Sequence, residues 1–133
     1  MPTSAVISGS GLYTPPETIS NEELVASFNA WVDIHNDTHS DQIASGKIEP
    51  KTHSSAEFIE KASGIRSRYV INKAGILDPH RMVPDIPERD NTDQSVMCEI
   101  ACHAAREAMQ AAGVNAEDID AVIVAASNMQ RAY

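Results

Sequence analysis

Apolar positions recur along this chain with two different periods, and the changes between them mark its elements. The run Ala5-Val6-Ile7-Ser8 is apolar and stops at Gly9-Ser10-Gly11, which predicts a buried strand entering a tight turn. Pro15-Pro16 then keeps the backbone extended. Ser20-Asn21-Glu22-Glu23 reads as a helix start: Ser20 or Asn21 can cap, and the two glutamates favour the positive end of the helix dipole. Leu24, Phe28, Trp31 and His35 follow at helical spacing, with Val25 and Val32 beside them, as one stripe. The pattern fades from Asp33 to Ser45, and Gly46 ends it. Residues 36–54 are therefore predicted as a polar surface excursion.

Ser54-Ser55-Ala56-Glu57 opens a second, short helix that runs through Ala62 and is terminated by Ser63-Gly64. From Ile65 to Ile71 the residues alternate as in a strand, with Arg66 and Arg68 on one face and Ile65, Ser67 and Tyr69 on the other. Residues 72–92 carry Pro79, Pro84 and Pro87 and predict a long irregular loop. The clearest helix spans Asp93 to Ala112, capped by Thr92 or Asp93 and ended by Gly113. Its buried stripe is Met97, Ala101, Ala104 and Ala108, with Ile100 and Met109 alongside. Ile119 to Ala126 is nearly all apolar, as a central parallel strand buried on both faces would be. Strand, helix, strand, long helix, strand is the order of an α/β protein. Three strands leave that sheet under-covered, so further protein is expected to complete it, as more chain or by dimerisation.

Composition narrows the picture. The formal net charge of −9 argues against a general nucleic-acid binder, which needs a basic footprint. A phosphorylated cofactor or an anionic carrier would need a local basic patch, and Arg66 with Arg68 is the best pair for one. Either they line such an entrance or they pair with carboxylates and order the strand. No apolar run approaches a membrane span, and residues 1–4 show no signal-peptide pattern, so the expected compartment is the cytoplasm. Cys98 and Cys102 stand one helical turn apart with His103 on another face, which favours packing over a nucleophile or a zinc site. His35 and His39 have the spacing His-x-x-x-His, but no glutamate follows His35, so they are read as a surface pair and no metal is expected. Thr14 stands where a dinucleotide fingerprint needs its third glycine, which excludes that motif.

Several segments, in order, resemble the β-ketoacyl-acyl-carrier-protein synthase III family of condensing enzymes. Ile7-Ser8-Gly9-Ser10-Gly11-Leu12-Tyr13-Thr14-Pro15 is similar to its opening strand, and Ser20-Asn21-Glu22-Glu23-Leu24 to its first helix start. Glu57-Phe58-Ile59 followed by Ser63-Gly64-Ile65-Arg66-Ser67-Arg68 resembles the family's Glu-Trp-Ile and Thr-Gly-Ile-Arg-x-Arg consensus. Ala101 to Gly113 and Ile119 to Ala126 resemble the long helix and strand that precede its catalytic cysteine. The long stretch from about Asn29 to His53 is similar to the medium-chain, β-ketodecanoyl-carrier-protein synthase type of branch.

The resemblance implies a thiolase-like fold of layered αβαβα type, of which this chain is the amino-terminal portion, within the first thiolase-like half. It implies a homodimeric acyltransferase of fatty acid biosynthesis that condenses an acyl-coenzyme A with malonyl-acyl-carrier protein, with no permanently bound cofactor. The nucleophilic cysteine and its histidine and asparagine partners would lie beyond Tyr133, so no catalytic residue is assigned here and this chain alone is expected to be inactive. Phe58 stands where the family has a tryptophan that stacks on the adenine of coenzyme A; it either stacks likewise or packs its helix. Ser54 matches a hydroxyl residue on that rim, Arg66 would lie near it, and Ala62 replaces an arginine. Asn128 and Met129 lead to Tyr133, which stands where the family often carries a residue reaching across the dimer into the acyl pocket. Two rival readings stay open: a condensing enzyme that joins two acyl-coenzyme A molecules, and a non-catalytic condensing-enzyme subunit.

Overall fold

The structure, a computed structural model, describes residues 4–127. It divides into two compact units, residues 15–87 and residues 4–14 with 88–127.

In the first unit, strand β1 (Glu17–Ser20) pairs antiparallel with β2 (Ser67–Val70), Glu17 opposite Val70 and Ser20 opposite Ser67. Helix α1 (Asn21–Thr38) starts where β1 stops, because Ser20 is both the last strand residue and the cap. Its hydroxyl accepts from the Glu23 N–H at 3.2 Å, and the Glu23 carboxylate accepts from the Ser20 N–H at 3.0 Å. This reciprocal box covers two of the donors a helix start leaves open. Ile19, fully buried, and Val32, one of the stripe residues, form the core. Asn21 is buried with them, its N–H on the Arg66 carbonyl and its side-chain amide on the Ile65 carbonyl at 2.6 Å, so helix and strand are joined at the first helical residue.

Helix α1 outlasts its apolar pattern, reaching Thr38, and α2 (Ser40–Ala44) follows at once. The residues that keep the end of α1 helical are aromatic and polar. The rings of Phe28, Trp31, His35 and His39 follow one another along one face at 5.6, 5.3 and 4.4 Å, the first two pairs tilted and the last stacked. On another face, Asn29 and Asn36 hold the returning chain. Asn36 gives to the Lys51 carbonyl and accepts from its N–H, both at 2.9 Å, and Asn29 does the same for Ser54 at 3.1 and 2.9 Å. Each amide thus satisfies both polar groups of one backbone residue. Helix α3 (Ala56–Ser63) is capped by Ser55 and closed by left-handed Gly64, as the sequence predicts. Within the irregular segment beyond β2, α4 (Ala74–Leu77) forms, and Asn72 clasps both backbone groups of Asp85. Lys73 gives its N–H to Glu17 and its ammonium to Glu23, tying this segment to β1 and α1.

The second unit is built on α5 (Val96–Ala112). It starts later than the expected cap at Thr92 or Asp93: Ser95 is the cap, its hydroxyl accepting from the Cys98 N–H, while Arg89 donates to the Gln94 carbonyl and the Glu99 carboxylate across the preceding residues. Gly113 closes it with a left-handed backbone. The expected strand at residues 5–8 and turn at Gly9-Ser10-Gly11 are corrected. Residues 4–14 form no strand or turn among the described residues, and neither glycine has a positive φ. A Cβ at Gly9 would meet the backbone of Ala108 and Ala112, and one at Gly11 the backbone of Ala104 and Ala108. The glycines are there for close approach: extended backbone lies on the alanine stripe of α5. The expected central strand at residues 119–126 is likewise absent after a 3₁₀ turn at Ala116–Asp118. Neither apolar run finds a ladder partner among the described residues, and Ile7 and Ile123 are 94% and 95% exposed. A strand needs a neighbour for its N–H and C=O groups.

Candidate functional site

The residues the sequence singles out for cofactor contact lie along α3 and its flanks. Ser54 enters with its backbone fixed by the Asn29 clasp, and Ser55 accepts the Phe58 N–H at 3.1 Å. Phe58, in the first turn, projects its ring outward, 65% exposed. Ile59, half-buried, is on the covered side of the same helix. The Phe58 ring is thus mostly in water, at a cost that either a stacking or a packing partner would remove.

Arg66 and Arg68 part company. Arg66 is 82% exposed and its Nε gives to Glu60 at 2.7 Å, a surface pair of small energetic weight that leaves the side chain free to move. Arg68 points to the covered face of β2; its Nη2 reaches the Asn21 side-chain oxygen at 3.4 Å, and its Nη1 is buried without a hydrogen-bond partner. Phe58 and Arg66 are thus exposed, Ser54 is half-buried at the entry to α3, and Arg68 is turned to the covered face. Asn128, Met129 and Tyr133 lie outside the described residues.

The cysteines are not arranged as nucleophiles. Cys102, one turn away, pushes the Cys98 thiol up, away from the thiolate that nucleophilic chemistry requires. Among the described residues no group of three His, Cys, Asp or Glu side chains is poised for a metal, and no helix is long and apolar enough to cross a membrane.

One feature was not foreseen from the sequence. An open groove of about 500 Å³ is lined by His35, His39, Gln42, Ile48, Glu49 and Lys51. It forms because Asn36 fixes Lys51 beside the end of α1, a contact between polar residues 15 positions apart that no periodicity announces. Burial, with the nearby His39 and Lys51 charges, holds the His35 imidazole below its ordinary pKa.

No family model matches the chain. Individual proteins do. It is 61% identical over 107 residues, 80% of its length, to a β-ketodecanoyl-[acyl-carrier-protein] synthase of Pseudomonas aeruginosa. It is 31% identical over 125 residues to a β-ketoacyl-[acyl-carrier-protein] synthase III of Bordetella petrii. The chain spans 31% and 26% of the length of these two relatives. It resembles the amino-terminal part of β-ketoacyl-acyl-carrier-protein synthase III, on the branch of the β-ketodecanoyl enzymes.

Proposed function

We propose that this chain is the amino-terminal scaffold of a thiolase-fold acyltransferase that condenses an acyl-coenzyme A, of medium chain length, with malonyl-acyl-carrier protein. The 61% identity to a β-ketodecanoyl synthase carries the reading. The exposed apolar runs at residues 5–8 and 119–126 support it, because each is composed as a strand and each needs a sheet to join. In the assembled enzyme they enter that sheet, the protein is a cytoplasmic homodimer, and coenzyme A passes through as part of the substrate with no cofactor retained.

In this reading a cysteine supplied by the remainder of the enzyme takes the acyl group from coenzyme A. Loss of carbon dioxide from the malonyl unit then generates the carbanion that attacks the acyl-enzyme, and a new carbon–carbon bond replaces the thioester to the cysteine. The described residues contribute binding. Phe58 offers its exposed ring to the adenine face, and Arg66 leaves Glu60 for a phosphate, its planar fork suited to that partner. Ser54 holds its position on the rim through Asn29. Ala62, where the family has arginine, leaves the rim with one cationic contact fewer.

The assembled enzyme, incubated with acyl-coenzyme A and malonyl-acyl-carrier protein, is expected to release carbon dioxide and form the extended β-ketoacyl carrier. Phe58→Ala should raise KM for the acyl-coenzyme A about tenfold with kcat little changed. Absence of product with every acyl chain length would overturn the activity, whereas an unchanged KM would overturn only the rim.

A further inference from the structure

On the basis of the coenzyme A rim proposed for Phe58 and Arg66, we infer that Asn21 and Asn29 are positioning residues for that substrate. Their side-chain amides, both on α1, hang α3 at its two ends and so set where the rim stands. Packing does not hold α3. No residue of this eight-residue helix is buried, and within it Ala56 and Ile59 alone are half-buried. A helix that short does not sustain itself in water. The Ser55 cap, the Ser63 hydroxyl on the Ile59 carbonyl and the Glu60–Arg66 pair all bond within the segment, so they shape α3 without fixing it to anything else.

Bonds to α1 do fix it. At the entry, the Asn29 amide gives to the Ser54 carbonyl at 3.1 Å and accepts from the Ser54 N–H at 2.9 Å. At the exit, Asn21 takes the chain twice: its Nδ2 gives to the Ile65 carbonyl at 2.6 Å, and its backbone N–H to the Arg66 carbonyl at 3.1 Å. The two asparagines stand about 12 Å apart along α1, which is also about the length of α3. Helix α3 thus runs back along α1, tied at both ends, with the exposed Phe58 ring between the ties. Arg66 is held by its backbone and keeps a free side chain. Arg68 sets the exit tie. A guanidinium only donates, so the Asn21 atom 3.4 Å from its Nη2 is the oxygen, and the amide nitrogen is left for Ile65. Asn21 is 2% exposed, and a turned amide would set donor against donor in that buried place.

The test uses the assembled enzyme with acyl-coenzyme A and malonyl-acyl-carrier protein. Asn29→Ala and Asn21→Ala should each raise KM for the acyl-coenzyme A about fivefold and leave kcat within about twofold, because a loosened rim loses preorganised binding away from the reacting thioester. Asn72→Ala is the control. It breaks the same kind of two-bond clasp, on Asp85 rather than beside α3, and should leave KM within about 1.5-fold. Asn29→Asp keeps the acceptor for the Ser54 N–H and loses the donor, and should raise KM about threefold. Circular dichroism reports whether an alanine variant has unfolded, and Asn29→Asp then carries the test. An unchanged KM in the asparagine variants beside a raised one in Phe58→Ala would overturn the positioning role alone. A KM raised as much by Asn72→Ala would overturn it as well, since any loosening would then suffice. An unchanged KM in Phe58→Ala would overturn the rim, and the positioning role with it.

Discussion

The two units cover their backbone polar groups by different means. Residues 15–87 close on themselves. Asn29, Asn36 and Asn72 each take both polar groups of a distant backbone residue, Asn21 joins α1 to the chain entering β2, and Lys73 ties the segment after β2 to Glu17 and Glu23. Residues 4–14 with 88–127 rely on one long helix and on glycines that let extended backbone lie against it. A hydrogen bond from the Leu12 N–H to the Glu107 carboxylate fastens that backbone to α5. A unit fastened by side-chain amides is sensitive to loss of single polar atoms. A unit fastened by close approach is sensitive to added ones.

Gly11→Val should expose the difference most strongly. A side chain there meets the Ala104 carbonyl and the backbone of α5, and forcing it in should cost about 3 kcal/mol. Denaturant unfolding measures it, and a wild-type midpoint would mean that the extended segment is not held on α5. Next, Asn21→Ala leaves the Ile65 carbonyl and the Arg68 guanidinium without their partner and should cost about 2 kcal/mol. Amide exchange should then speed up through β2 and leave α5 untouched; uniform loss of protection would mean that the two units open together. Asn36→Ala removes one clasp at about 1 kcal/mol and should free the Lys51 amide for exchange.

The smallest effect is that of pH. The hydrogen bond from Lys73, with the Ser20 N–H behind it, holds the Glu23 carboxyl below its ordinary pKa, and the same partner holds the Lys73 ammonium above its own. The glutamate therefore contributes fully above its unfolded-state pKa, and the contribution fades as pH falls through the lowered folded value. The lysine contributes fully below its unfolded-state pKa and loses that contribution as pH rises through the raised one. His35 adds to the acid side, because a depressed imidazole pKa means that the unfolded chain binds the proton first as pH drops through the histidine range. Lys73→Met should flatten the carboxylate part of the acid limb and leave the histidine part in place, as urea midpoints taken across pH would show.

What could be read in the sequence was local. Ser20 and Glu23, Ser55, Gly64 and Gly113 carry their capping chemistry within four residues, and the helices end where those residues say. β1 was not legible, since Glu17-Thr18-Ile19-Ser20 has a single apolar residue and becomes a strand only by meeting β2 some 50 positions away. The asparagine clasps and the groove were missed for the same reason: a polar residue that satisfies distant backbone has no period. Conversely, residues 5–8 and 119–126 have the composition of strands and no ladder partner among the described residues. At the rim, Phe58 is exposed on α3, and Arg66 and Arg68 differ because only Arg68 lies within β2, on its covered face, a boundary that alternation indicates but does not anchor.

The clasp of Asn36 on Lys51 has a further consequence, for how this region can change over generations. It pins the chain on the far side of α2, as the end of α1 pins it on the near side, so residues 39–50 run between two fixed posts. Insertions after α2, in residues 46–50, are expected to leave α3 in place, because doubling a flexible loop costs only about 0.6 kcal/mol. The excursion is thus a place where sequence length is nearly neutral, and new surface can be added beside α3 while the frame that presents it stays still.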